Sequence, residues 1–189
     1  MRDPHRTILD AAAALFAQKG YDNTSLQDVA TAVGVTKAGL YHYFATKQVL
    51  YDCIVLGVLS DLLASAQARV AEAGTPADKV ASFMAAHAIY FEANRDHYLA
   101  AFVGRGGDLS VFTQEQRLAR RSYTDFLTDI LEEGRAAGSF AFDDAAIVAR
   151  GIHGMLNWMT RWYNPNGRKD AQAIAADYAG IILKGIRPD

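Results

Sequence analysis

Residues 24–47, TSLQDVATAVGVTKAGLYHYFATK, constrain the fold of this chain more than any other stretch. Ser25 is a good helix cap, and Asp28, three residues on, is the acidic half of a capping box. Leu26, Val29, Ala30 and Val33 then repeat at i, i+3, i+4 and i+7, the spacing of one buried helical face. Gly34 breaks that helix, Val35 is placed to plug the turn, and Thr36 to cap a second helix. On the second helix Leu40, Tyr43 and Phe44 share one arc, whereas Lys37, Ala38, Tyr41 and His42 cover the opposite one. This spacing predicts Tyr43 in the core and Tyr41 at the surface. No carboxylate occurs from Val33 to Lys47, so the outward arc suits an acidic, hydrogen-bonding partner. A helix–turn–helix that lays its second helix in the major groove needs such a face.

The combination of Thr24-Ser25, Val29-Ala30, Gly34-Val35-Thr36-Lys37, Leu40-Tyr41, Phe44 and Lys47 resembles the DNA-binding domain of the TetR family of one-component repressors. The resemblance covers roughly residues 6–52 without a gap. It implies that Thr24, Ser25, Tyr41 and Lys47 touch phosphates. It also implies that Thr36, Lys37, Ala38, Gly39 and His42 lie at or near base edges. Two of these positions carry a physical reading of their own. Gly39 in mid-helix costs about 1 kcal/mol relative to Ala, a cost that close approach to a groove wall would justify, with tolerated strain as the alternative reading. Lys47 opens a helix whose positive dipole end favours phosphate, although an ordinary solvated lysine would look the same in sequence.

The chain of 189 residues allows one small and one medium domain. The expected division is a DNA-binding domain at 1–46, with its helix–turn–helix at about 25–44, and a ligand-binding and dimerisation domain at 47–189. A composition 51% hydrophobic and 21% charged excludes disorder. The net charge of −2 does not advertise nucleic-acid binding, but its distribution is uneven. Residues 1–47 hold five Lys/Arg against four Asp, which leaves −3 for the remainder, so pairing of two N-terminal faces is needed to build a useful field. The single cysteine, Cys53, excludes an intramolecular disulfide and a multi-cysteine metal site, and reads as a small core residue. No signal peptide opens the chain. The apolar-rich residues 145–160 are interrupted by Arg150, His153 and Asn157 and fall short of a membrane span. A cytoplasmic protein with no membrane partner is expected.

Caps and breakers divide the chain into nine helices with no credible strand, an all-α, two-domain architecture: an N-terminal three-helix unit and a C-terminal helical one. The first helix should run from about Arg6 to Lys19, burying Ile8, Leu9, Ala12, Leu15 and Phe16, and stop at Gly20. Thr46 caps a long helix from Lys47 to about Ala73, with Val49, Leu50, Cys53, Ile54, Val58 and Leu62 inward. That helix belongs to both halves. Thr75 and Pro76 start the next, to about residue 94, and a shorter one runs from 95 to 103. Gly104-Arg105-Gly106-Gly107 reads as a flexible break. Thr113 with Gln116 forms a capping box for a helix ending at Gly138. Asp143 is expected to cap a helix that is apolar nearly all round from Ala145 to Trp162, and Asp170 to cap the last.

Two functions compete for the apolar surface of residues 76–184. One is homodimerisation: the helix 143–163, with small Gly151 and Gly154, and the last helix, with Ala173, Ala176, Tyr178, Ile181 and Ile182, could form a four-helix seam. The family resemblance implies that the last two helices make it. The other is a cavity for a small apolar effector lined by Phe83, His87, Tyr90, Phe91, Tyr98, Phe102, Phe126, Met155, Trp158, Met159 and Trp162. Wide aromatics beside flexible methionines and lone polar groups suit a pocket, although the same stripe can be plain core.

Residues 151–168, GIHGMLNWMTRWYNPNGR, resemble the acyl-CoA-responsive branch of the family, whose members control fatty-acid or sterol-ring degradation. Trp158, Arg161, Trp162, Tyr163 and Gly167 carry that resemblance. It implies an acyl-CoA or steroid-derived CoA thioester as effector; Arg161 and other arginines (Arg105, Arg117, Arg120, Arg121 and Arg168) could meet its phosphates, or else lie on a solvated face or in an intersubunit ion pair. The expected function is therefore a ligand-released repressor of a palindromic DNA operator. The alternative keeps the same fold and makes it an efflux-gene repressor induced by drug-like or cationic compounds. An acyl-thioester enzyme is disfavoured, since no Ser/Cys–His pairing, HExxH or Gly-rich phosphate loop occurs. No cofactor is expected, and His87, His97 and His153 lack metal-ligand spacing.

Overall fold

A computed structural model describes residues 3–104 and 112–188. Among these described residues there are nine helices: α1 (Pro4–Lys19), α2 (Leu26–Val33), α3 (Lys37–Tyr43), α4 (Lys47–Ala71), α5 (Pro76–Ala93), α6 (Arg95–Phe102), α7 (Gln114–Ala136), α8 (Ala145–Trp162) and α9 (Ala171–Gly185). Among the described residues there is no strand. The expected break at Gly104-Arg105-Gly106-Gly107 lies beyond Gly104 outside the described residues. Arg105, considered above as a phosphate partner, does so too.

Local chemistry sets most of the helix ends. Asp3 caps α1 by accepting from the His5 amide, with Pro4 in the first turn, so the helix starts two residues before the expected Arg6. Ser25 and Asp28 form the complete reciprocal capping box of α2. Gly34 ends α2 with φ +77°, a conformation that favours glycine, and its amide and that of Val35 close the turn on Ala30. Thr113 and Gln116 exchange the corresponding pair of bonds at the start of α7. One cap differs from expectation. Asp144, rather than Asp143, accepts from Ala146 and Ile147 at the start of α8, because it stands directly before the first helical residue.

The backbone divides into two compact units, Met1–Leu59 with Asn94–Leu118, and Ser60–Ala93 with Ala119–Asp189. In the first, α1 packs on α2 and α6, and α2 packs on α3. Ile8, Ala12, Ala13 and Phe16 of α1 are buried, whereas Leu9 and Leu15 are only half-buried flanks of that face. Phe16, Tyr21 and Tyr51 form an aromatic triangle, with centroids 4.9–5.8 Å apart, under the helix–turn–helix. Leu40 and Phe44 plug α3 into it. Tyr43 does not: it is 44% exposed and meets His42 edge-on at 5.4 Å. A helix of seven residues reaches the core with a single i, i+4 pair, and Tyr43 falls off that line. Val35 and Val49 are likewise exposed rather than inward, since the turn is closed by the backbone of Val35.

In the second unit α5 packs on α8 and α9, and α8 also touches α9. Gly134 of α7 lies flat against Phe140, where a Cβ would stand 2.2 Å from the ring, so this close approach requires glycine. Lys79 of α5 pairs with Glu133 of α7 at 2.6 Å. The expectation that α8 is buried on more than one side is corrected. Ala145, Ala149, Ile152, Leu156 and Met159 face the core, whereas Ile147, Gly151, Gly154, Trp158, Arg161 and Trp162 form one exposed stripe. A single chain supplies only enough neighbouring helix to cover one side.

By length and composition α4 is, among the described helices, the one able to cross a bilayer. Its apolar residues are spent elsewhere, because Leu50, Tyr51, Ile54, Val55, Val58, Leu59, Leu62 and Ala66 are all buried in protein. The helix is core.

The second unit also buries polar groups. His87 is 1% exposed, and His153 lies close to it. Burial holds both imidazoles neutral, bringing His87 down to about 3, with His153 as a lesser cause, and His153 to about 4. The unfolded chain takes up these protons below about pH 6.5, and the folded chain does not until near 4. The stability they hold is therefore present above pH 6.5 and lost as the pH falls towards 4. A His153→Leu variant should lose less unfolding free energy between pH 7 and pH 5 than the natural chain. Urea unfolding at both pH values measures it, and parallel losses in the two proteins would contradict it.

Candidate DNA interface and effector site

A surface groove of about 570 Å³ opens where the helix–turn–helix meets the start of α4. Thr24, Ser25, Lys37, Tyr41 and Lys47, expected from sequence, line it together, with Asp22, Asn23, Leu26, Gln27, Ala45 and Thr46. The N-terminal ends of α2 and α4 both border the groove, and the positive ends of their helix dipoles favour an anion there. Tyr41 is exposed, with the Lys37 ammonium 5.8 Å from its ring centroid. Thr36 caps α3 by accepting from the Gly39 amide at 3.0 Å, and Ala38, Gly39 and His42 follow on the outer side of this short helix. A Cβ at Gly39 would come 3.3 Å from the Thr36 hydroxyl, so glycine also spares the cap.

Two of the expected phosphate contacts prove to be structural as well. Thr24 is buried, and its hydroxyl donates inward to the Gly20 carbonyl at 2.9 Å. Lys47 is half-buried: its ammonium donates to the carbonyls of Tyr21 and Thr24, each at 2.9 Å, and sits 4.2 Å from the Tyr21 ring centroid. Sequence pattern cannot show that a lysine's partners are carbonyls more than twenty residues upstream. Thr46, which caps α4 by accepting from the Val49 amide at 3.1 Å, is a further groove residue, and its cap signal is legible in the sequence.

The residues expected to line an effector cavity separate into groups. Phe83, His87 and Phe126 belong to one buried cluster of the second unit, together with Tyr123 and His153, which the sequence reading did not assign to it. Phe83 stacks on Tyr123 at 5.0 Å and meets His153 edge-on at 5.7 Å. The Tyr123 hydroxyl and His87 Nδ1 share a hydrogen bond of 2.9 Å. Tyr123 precedes Phe126 by three on α7, a spacing that could have brought it in. Phe91 packs edge-on against Tyr163, Met159 is buried, Met155 is half-buried, and Tyr90 bonds Asp61 at 3.5 Å.

The remaining candidates do not join them. Tyr98 and Phe102 stack on each other at 4.4 Å within the first unit. Trp158 is 64% exposed, and Arg161 and Trp162 are exposed beside it, because 100° steps along α8 carry them away from its buried face. Arg117 is turned to the Phe112 carbonyl and Arg121 to Asp125, Arg120 is half-buried, and Arg168 is exposed.

Comparison with known proteins gives this geometry its family. Residues 8–54 match the bacterial regulatory proteins of the tetR family, and residues 73–186 match the tetracyclin repressor-like C-terminal domain. The transcriptional repressor KstR2 of Mycobacterium tuberculosis is 31% identical over 192 residues, covering 95% of this chain and 90% of that protein. Its structure, that of a ketosteroid transcriptional regulator, superposes with a TM-score of 0.87 at 25% identity over 100% of this chain and 97% of its own. PfmR of Thermus thermophilus, a TetR family transcriptional regulator, gives 0.86 at 35% identity over the whole of both chains. AibR, solved with isovaleryl coenzyme A and operator DNA, shares the fold with a TM-score of 0.84 at 24% identity over 96% and 98% of the two chains. These relatives are regulators and repressors, not enzymes, and the match runs through both halves of the sequence: the chain belongs to the TetR family of bacterial regulatory proteins.

Proposed function

We propose that this chain is a cytoplasmic repressor that binds a palindromic operator as a homodimer and is released by an acyl-CoA or steroid-derived CoA thioester. Residues 1–46 would hold the DNA, and residues 47–189 the effector and the second copy. The observation that carries the DNA half is the groove, in which cap hydroxyls, helix ends, Lys37, Tyr41 and Lys47 converge on one open surface. The effector reading is supported by the buried aromatic cluster around Phe83 and by the likeness to KstR2, named for ketosteroids. The fold of AibR accommodates isovaleryl coenzyme A. The efflux alternative is not favoured by these relatives.

The exposed stripe of α8, Ile147, Gly151, Gly154 and Trp158, together with Ile181 of α9, supports the second copy as occupant. Small residues let backbones approach, and apolar ones drive the contact. Arg161 and Trp162 lie at the C-terminal end of this exposed stripe, where they would meet the polar part of a CoA thioester. Both α4 and α7 run from one compact unit into the other, so displacement of either by an effector reaches the DNA-binding end.

Three measurements test this reading. Lys37→Ala should lower the slope of log affinity against log salt by about one unit, and Tyr41→Phe should weaken operator and non-operator DNA alike. Fluorescence anisotropy across salt concentrations reports both, and an unchanged double variant would remove the groove assignment. Ile181→Glu should give a monomer by sedimentation that no longer binds a palindrome; a natural chain that is monomeric at micromolar concentration would contradict the dimer. Arg161→Met should blunt operator release by acyl-CoAs while leaving ligand-free operator affinity within about threefold, under the roughly 1.4 kcal/mol of a tenfold change. If no acyl-CoA moves the natural protein's operator affinity, the effector assignment falls and the regulator stands.

A further inference from the structure

We propose that the group formed by buried His87 and Tyr123 with half-buried His153 is the selective end of the effector site and takes an uncharged oxygen, a ketone or hydroxyl, carried on the effector's apolar body. The proposal rests on the thioester reading above and names what that reading leaves open, the chemistry of the acyl part. Three polar side chains from three helices, α5, α7 and α8, meet inside an apolar wall made by Phe83 and Phe126. The three rings form a triangle, with the Tyr123 centroid 5.9 Å from that of His87 and 5.3 Å from that of His153. The imidazoles themselves are 6.4 Å apart. A hydrogen bond of 2.9 Å ties the Tyr123 hydroxyl to His87.

The Nε2 atom of His153 is different. It is buried and makes no hydrogen bond within the protein. Evolution of a core for stability alone would favour leucine or phenylalanine here, because a buried polar atom without a partner is costly. A ligand oxygen would satisfy it. Burial keeps both rings uncharged, so each offers one N–H and one bare nitrogen. A carboxylate or an ammonium brought against neutral imidazoles would lose its water and gain no countercharge. A ketone or hydroxyl loses little water and gains the bond. Recognition of this type discriminates strongly, since a site built for a polar group rejects the analogue lacking it.

The test compares 4-phenylbutanoyl-CoA with 4-oxo-4-phenylbutanoyl-CoA, which share a skeleton and differ by one carbonyl, by calorimetry on the full-length dimer. The natural protein should bind the keto ester at least about fivefold more tightly. Tyr123→Phe and His153→Leu should each reduce that preference to within about twofold, with affinity for operator DNA kept within about threefold. If the variants change only the melting temperature and the preference survives, the group is core and the proposal is overturned. Equal binding of the two CoA esters by the natural protein overturns it too, yet leaves the thioester reading intact. The methyl esters of the same acids, run in parallel, separate the two ideas. A keto preference there without CoA-ester binding supports the selective group and removes the thioester, whereas binding of neither pair overturns both.

Discussion

The ammonium of Lys47 is the interaction on which the DNA-binding end depends. It satisfies two carbonyls of the turn between α1 and α2 and lies over the Tyr21 ring. By doing so it fixes the first residue of α4 against the start of the helix–turn–helix. Hydrogen bonds from charged donors contribute about 1.5–3 kcal/mol when sheltered, and half-burial places these towards the lower end. The groove that presents Ser25, Lys37 and Tyr41 is also lined by this lysine, whose two hydrogen bonds tie the start of α4 to the turn before α2.

The same region carries a polar chain inward from the groove. Tyr21 donates its hydroxyl to Gln48, Gln48 donates to Asp52 at 2.6 Å, and buried Gln116 of α7 donates to the same Asp52 oxygen at 2.9 Å. Gln116 is also the partner of the Thr113 cap. The first turn of α7 is thereby hydrogen-bonded to the helix that begins at the groove. Buried networks of this kind are stable when every member is satisfied and weaken as a unit.

The C-terminal half divides its apolar residues between two uses. α8 buries one face within its own unit and leaves Ile147 and Trp158 outside, where none of the described helices of the same chain covers them. Its other flank delivers His153 to Phe83 and Tyr123. One helix therefore carries an exposed apolar stripe and an inward polar cluster, and the 100° step between neighbouring residues separates the two.

Sequence by itself determined the nine described helices, since their ends are written in local cap chemistry: Ser25 with Asp28, Thr113 with Gln116, Asp170, and the left-handed Gly34. It also determined the helix–turn–helix residues, because residues three and four apart on a helix share a face wherever that helix goes. Tertiary structure decided what each face meets. Tyr43 and Trp158 fit an apolar stripe as well as Leu40 and Met159 do, yet the first pair is exposed and the second buried. Lys47 reads as a surface cation and is held by two carbonyls, and His153 reads as a break in an apolar helix and completes a buried cluster. Periodicity reports the direction of a side chain around its own axis. Burial depends on which other helix stands there, and that is set by packing between residues far apart in the chain.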